Sequence, residues 1–218
     1  MNDTGLNSAV LEAQDAEAVN EMFQRNGWTD GLPIVAPTEQ AVLRFLAAVG
    51  LAPDHTIGTE PVRRRRIPAE KVAIAAVMAG CLPEYMPIVR AAVEAMCEPP
   101  FGLHGSTCST GGSAPMLVVN GPIRGQIGMN ATHNALANAS RANATIGRTI
   151  RLILLNVLGG IPGQLDRSTL GHPGKFTFCV AEDEEDSQWL PLAQERGIAP
   201  GVSAVTVMSV QSPIQVMN

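Results

Sequence analysis

Between Glu98 and Asp166 the chain carries neither aspartate nor glutamate, while the same stretch holds Arg124, Arg141, Arg148 and Arg151. The whole protein has a net charge of −5, so one cationic, carboxylate-free stretch is a segregation of charge that any fold must accommodate. Arginines kept apart from carboxylates are left free to hold an anion, because a nearby acid would pair with them or repel the ligand. The alternative is that the stretch forms the buried half of the protein, where charge is costly and thins out. Four arginines argue against complete burial, and an anion site is expected here.

Composition narrows the class. With 218 residues, 45% hydrophobic and 16% charged, the chain can bury a proper core and is not an intrinsically disordered protein. The negative net charge and an aromatic content of 4% exclude non-specific nucleic-acid binding, which needs basic surface and stacking platforms. The longest apolar region, residues 150–161, is broken by Arg151 and Asn156 and is too short to span a bilayer, so no membrane association is expected. The acidic N-terminus lacks a basic segment followed by an apolar one, which predicts no secretory signal. Cys81, Cys97, Cys108 and Cys179 form no C-x-x-C pair, and free thiols in a reducing cytoplasm are expected.

Along the chain, residues 9–25 read as an amphipathic first helix, and Thr38 as the cap of a second helix that Gly50 closes. Pro68 and Pro83 each start a further helix, the first running to Gly80 and the second ending before Pro99. Residues 51–66 show no clear period. Residues 101–114 are a Gly/Ser/Thr loop, 116–120 a strand stopped by Gly121-Pro122, and 130–158 helical, in one or two pieces. Strands are expected at 176–180 and 204–210, with a short helix over 187–196. Helices first and mixed elements later predict an α/β or α+β fold: a mixed sheet with an N-terminal helical layer in a single compact domain. The division is an N-terminal helical segment (1–55) and an α/β core (56–218) that carries the site.

Asn130, Asn134, Asn138, Arg141, Thr145 and Arg148 are spaced three or four apart, which on one helix makes a continuous polar stripe. Amides with arginine, rather than Lys with Glu, suit a fixed, partly buried polar surface. Arg141 or Arg148 would hold a carboxylate bidentately there while the amides orient it. A subunit interface is the competing explanation, and asparagine is a poor helix former, so the first part of the stripe is alternatively loop.

The loop His104–Ser113 offers glycine N–H groups, small hydroxyls and the Cys108 thiol. Such a loop can form an anion nest. Cys108 with His104 or His133 would make an activated thiolate–imidazolium pair, against an inert loop cysteine. The loop is neither a phosphate-binding Walker loop nor a dinucleotide fingerprint. His104, Cys108 and His133 are also three conceivable metal ligands, although their spacing matches no common zinc pattern. Cys81, Cys97 and Cys179 fall in apolar surroundings and read as core.

Arg63–Arg66 read as a solvated run whose natural complement is the acidic segment Glu182–Asp186. Asp30, between Trp28 and Gly31, is expected to bond its own turn. Glu84 follows Pro83 at a helix start, where it caps the helix or faces the cationic site as an acid/base. The last strand and the apolar Ile214, Val216 and Met217 have no covering helix, so a second subunit or a homo-oligomer is expected to cover them.

The segments 27–38 (GWTDGLPIVAPT), 71–89 (KVAIAAVMAGCLPEYMPIV), 116–130 (MLVVNGPIRGQIGMN), 141–160 (RANATIGRTIRLILLNVLGG) and 173–192 (PGKFTFCVAEDEEDSQWLPL) form a distinctive set. Together they resemble a family of largely uncharacterised bacterial proteins associated with thioredoxin-like selenoproteins that bear a U-G-S-C motif. The resemblance implies a shared fold, brings no reaction, and points toward Asn120, Asn130, Arg141, Asn143 and Arg148. It also implies chains that continue beyond this one's last residue, with the remainder supplied here by another chain, and a loop around Cys108 that varies.

The function expected is an enzyme, or the substrate-binding subunit of one, acting on a small anionic, carboxylate-type molecule by lyase or hydrolase chemistry. Arg141, Arg148, Asn130, Asn134, Asn143 and Asn120 would bind the substrate, and Cys108, His104 and His133 would act on it. The alternatives are a non-catalytic subunit of a heteromeric complex and a metal-dependent enzyme using His104, Cys108 and His133.

Overall fold

Local chemistry starts and stops the second helix where the sequence predicts. In α2 (Glu39–Val49) the Thr38 hydroxyl accepts the Ala41 amide at 3.3 Å, and Gly50 closes the helix in the left-handed conformation with φ 62°. In this computed structural model, which describes residues 5–137, 140–214 and 216, α1 spans Ala16–Arg25, shorter than expected. The cause is Asp15, whose carboxylate takes the Ala18 amide at 2.8 Å and leaves residues 9–15 outside the helix. Helix α3 (Ala69–Ala79) ends at Gly80, φ 90°, and Pro68 is its cap rather than its first residue. A 3₁₀ turn, Pro83–Tyr85, leads into α4 (Met86–Cys97).

The aperiodic stretch 51–66 contains an unexpected hairpin. Strands β1 (Thr56–Glu60) and β2 (Arg65–Pro68) pair antiparallel, with Glu60 opposite Arg65 and Gly58 opposite Ile67. The buried Glu60 carboxylate organises its turn by accepting the Val62 and Arg63 amides at 2.9 and 2.8 Å. The arginine run thus forms a turn and a strand edge. Arg63 lies against Glu60, and Arg66 donates from Nε to Thr56 Oγ1 at 2.8 Å.

The second sheet is mixed, in the order β4–β3–β5. Central β3 (Ala114–Asn120) runs parallel to β4 (Cys179–Ala181) and antiparallel to β5 (Ala204–Val210). The parallel step needs a long crossover, and α7 (Arg141–Asn156) lies within it. Short helices α5 (Leu103–Thr107), α6 (Ile123–Gln126) and α8 (Leu192–Glu195) fill the connections. The expected strand over 176–180 is therefore only 179–181, and the expected helix over 187–196 only 192–195. Residues 130–137 form turns instead of continuing α7 toward the N-terminus.

One hydrophobic core joins these parts into an α+β domain. Val42 and Phe45 of α2, Val72 of α3, Val89 of α4, Ile146 of α7 and Leu117 of β3 all belong to it. Helix α3 is buried along nearly its whole length, its alanines letting neighbours approach closely. No helix among the described residues is long and apolar enough to cross a membrane.

Gly147 is where α7 meets the chain entering β4. A β-carbon there falls 2.6 Å from the Phe178 amide nitrogen and closer still to Thr177 Oγ1. Helix propensity alone would favour alanine by about 1 kcal/mol, but backbone cannot retreat from this contact. Gly147→Ala is expected to destabilise the protein by about 2 kcal/mol through overpacking, read from urea unfolding.

Candidate functional site

Helix α7 begins at Ser140, whose hydroxyl oxygen accepts the Asn143 amide at 3.1 Å. Buried Asn143 ties this cap to the preceding turn. Its Oδ1 accepts the Ser140 hydroxyl at 2.6 Å and the Asn130 amide at 3.0 Å, and its Nδ2 donates to the Asn130 carbonyl at 2.9 Å. Asn130 in turn takes the Thr132 amide on Oδ1 at 3.1 Å and donates from Nδ2 to the His133 carbonyl at 2.7 Å. Both side chains bond mainly backbone of the turn and cap, as short amides tend to do. Asn134 lies exposed in the same turn with φ 59°. Asn138 lies outside the described residues. The expected continuous stripe is therefore broken before Ser140, and only its α7 portion shares a helical face.

That portion faces the Gly80–Tyr85 and Thr29–Pro33 loops. Arg141 Nε donates to the Gly80 carbonyl at 2.8 Å, and Thr145 Oγ1 donates to the Arg141 carbonyl at 2.8 Å. Arg148 grips Asp30 in a fork, Nε to Oδ2 and Nη2 to Oδ1, both at 2.8 Å, and Nη2 reaches the Pro33 carbonyl at 2.9 Å. The Asp30 side chain is 2% exposed. Burial pushes its carboxyl up, but the bonds and charge of Arg148, with the Leu32 amide and Thr29, more than offset this and hold it below the ordinary carboxylate value. Asp30 thus makes the expected turn bonds and also an ion pair with a residue 118 positions away.

The other arginines of the acid-free stretch find acids elsewhere. Arg124 donates from Nη2 to Glu185 at 2.9 Å, lies 3.0 Å from Glu184, and reaches the Glu182 carbonyl from Nη1 at 2.6 Å. Buried Asn120 donates to Glu182 and Glu184 at 2.6 and 2.8 Å. The acidic segment after β4 therefore meets the end of β3, not the arginine run 63–66. Because the two strands are parallel, the residues that follow each emerge side by side. Arg151 lies 3.6 Å from Asp166. Arg141 alone of the four has no carboxylate partner among the described residues, and it is exposed.

Arg141 lies within electrostatic reach of Cys81 and Tyr85. The Cys81 thiol is buried 3.2 Å from Thr149 Oγ1, and burial raises its pKa, with Arg141 and the threonines acting the other way. Cys179 is also buried, and burial pushes its thiol far up. Burial likewise raises Tyr85, a shift that Arg141 opposes and that Glu84 and Cys81 reinforce.

The Gly-rich loop lies elsewhere on α7. Its cleft is lined by Thr107, Ser113, Gly147, Arg151, Asp166 and Lys175, so it takes Arg151 from α7, not Arg141 or Arg148. Buried Asp166 accepts Lys175 Nζ on both oxygens at 2.8 Å, with Ser168 Oγ at 2.6 Å. Ser168 Oγ also reaches the Gly111 carbonyl at 2.8 Å, and the Arg167 amide donates to the Ser109 carbonyl at 3.1 Å. The loop is thereby fastened to residues 166–169.

His104 lies within α5 and Cys108 caps its end, the Cys108 amide donating to the His104 carbonyl at 2.8 Å. The charged neighbour of the His104 ring is Glu60, 3.9 Å from Nδ1, rather than a thiolate. His133 is exposed in the Asn130 turn. Among the described residues no group of three His, Cys, Asp or Glu is placed to hold a metal, so the trio His104, Cys108 and His133 is not assembled as ligands.

Sequence reasoning missed Asp166, Ser168, Lys175 and the Tyr85–Arg141 neighbourhood. Lys175 carried a signal, being one of only two lysines in the chain. Scanned against family models, curated proteins and solved structures, the chain matches none.

Removing one member of a buried pair leaves the other charge stranded. Asp30→Asn is expected to lose about 3 kcal/mol at pH 7 by urea unfolding. The folded-state pKa of Asp30 lies below the unfolded value of 3.8, so the carboxylate's contribution is full above that value and is lost as pH falls through the folded one. The gap between wild type and variant is expected to narrow at pH 3.

Proposed function

We propose that the protein is an enzyme, or the substrate-binding subunit of one, that holds a small anionic, carboxylate-type molecule at Arg141 and acts on it by lyase or hydrolase chemistry. The observation that carries this reading is the unequal treatment of the four arginines: three are matched to acids brought from other segments, and Arg141 is not. Its Nε bond to the Gly80 carbonyl orients the guanidinium plane while leaving further N–H donors for a forked grip on a carboxylate.

Tyr85, buried and within electrostatic reach of Arg141, would offer a neutral phenol as a hydrogen-bond donor, and Glu84, next to it in the chain, an acid/base group. Arg148 serves by pinning the Thr29–Pro33 loop against α7. The protein is proposed to work in the cytoplasm with its cysteines reduced.

A second reading, a non-catalytic subunit of a heteromeric complex, is favoured by one observation. Strand β5 is an edge of its sheet, and beyond it Ile214 and Val216 are more than four-fifths exposed, at 86% and 83%. Another subunit or a second copy would cover them. Native mass spectrometry separates the readings: a monomer that turns over substrate removes the second.

Binding is tested by calorimetric titration with malonate, succinate and benzoate. At least one is expected to bind, with affinity falling about tenfold or more in Arg141→Ala, the loss of a hydrogen bond to a charged group. Arg141→Lys recovers only part, because an ammonium cannot fork. Unchanged affinity in Arg141→Ala would overturn the proposal.

A further inference from the structure

Away from Arg141, an open cavity of about 730 Å³ lies between the N-terminal strap, α1 and α3. Its walls are apolar: Leu6 and Val10 from the strap, Val19 and Phe23 from α1, Ile74 and Met78 from α3. Helix α1 is amphipathic yet buries none of its residues. Its apolar face lines this space, Val19 and Phe23 being only partly buried against the core, so apolar surface stays open to a ligand.

The strap is held in place by built contacts. Glu70, 2% exposed at the start of α3, accepts the Asn7 and Ser8 amides at 2.8 Å each and also the Ser8 hydroxyl. Lys71 Nζ donates to Ser8 Oγ at 2.9 Å. The strap is therefore fastened at a fixed stand-off that roofs the cavity. The opposite end is fixed by Asn156, whose Nδ2 donates to the Trp28 carbonyl at 2.8 Å.

We infer that this cavity is a binding site for a neutral, apolar small molecule. Size and polarity carry the assignment. Small-molecule sites range over roughly 300–1,000 Å³ and are lined mainly by apolar side chains, and this cavity falls within that range. Three charged residues line it, Glu39, Glu70 and Lys71, and the last two are neighbours joined through Ser8. A ligand with a charged head would have to break that arrangement, whereas a neutral one leaves it intact.

Trp28 lines the cavity and makes an edge-to-face contact with Phe23, ring centroids 5.4 Å apart. The other tryptophan, Trp189, is 83% exposed. In full-length Trp189→Phe protein, Trp28 emission therefore reports on the cavity. Titration with 1-decanol is expected to give a saturable blue shift, with decanoate and decylamine binding about tenfold or more weakly. Val10 and Leu11 are half exposed at the cavity wall, so Val10→Asp with Leu11→Asp should leave folding intact. That double variant is expected to weaken the decanol response about tenfold or more, with an unchanged unfolding midpoint. No saturable response, a response unchanged in the double variant, or tighter binding of decanoate or decylamine would overturn the assignment. So would a dimer that the double variant converts to monomer while wild type fails to bind decanol, because a second copy would then be the occupant.

Discussion

The Arg148–Asp30 pair is the contact on which the arrangement around α7 depends. A carboxylate 2% exposed cannot remain charged in the protein without a fixed partner, and Arg148 supplies two of its hydrogen bonds in one plane. The same guanidinium takes the Pro33 carbonyl, so one side chain holds a whole loop. That loop continues into residues 34–37, where the Val35 amide donates to the Met78 carbonyl of α3 at 3.2 Å. Helices α3 and α7 and the loop between α1 and α2 are thereby fixed relative to one another. Arg141, two turns away on the same face, is presented against the end of α3 as a consequence.

This changes what the acid-free stretch means. Its arginines are not surrounded by empty space awaiting ligands. Asp30 precedes the stretch, while Asp166, Glu184 and Glu185 follow it, and folding brings Asp30 to Arg148, Asp166 to Arg151, and Glu184 and Glu185 together to Arg124. Charge is segregated along the chain because pairing occurs across the fold, where a partner from a distant segment also locks topology. The parallel alignment of β3 with β4 produces one of these meetings directly, delivering the acidic segment to Asn120 and Arg124. Once those pairs are made, the cationic character that first drew attention contracts to Arg141.

The Gly-rich loop shows a similar shift of role. Its composition suggests an anion nest of backbone amides, but what fastens it is its carbonyls: those of Ser109, Thr110 and Gly111 accept from Arg167, Thr169 and Ser168, and the Gly111 amide turns back to Ser109 Oγ. Lys175 and Asp166 stand behind that fastening. The cleft they line takes Gly147, Ile150, Arg151 and Leu154 from α7 and neither Arg141 nor Arg148. His104 belongs to a third neighbourhood, with Glu60 and the hairpin turn.

What the sequence by itself determined are the features governed by bonds within a few residues. The Thr38 cap, the Gly50 and Gly80 terminators, the Pro83 start, strands β3 and β5 and the helical stripe Arg141–Arg148 all follow from local backbone chemistry and periodicity. The α+β class with its N-terminal helical layer was legible for the same reason. Only the tertiary structure decided the hairpin over 56–68, since its strands are short and its turn depends on one buried glutamate. It also decided that the Asn143 side chain bonds the backbone of Asn130 while the Asn130 side chain bonds its own turn, and which acids Arg124, Arg148 and Arg151 meet. Those outcomes rest on contacts between residues up to 118 positions apart, and side-chain type and spacing along the chain contain no distance across the fold.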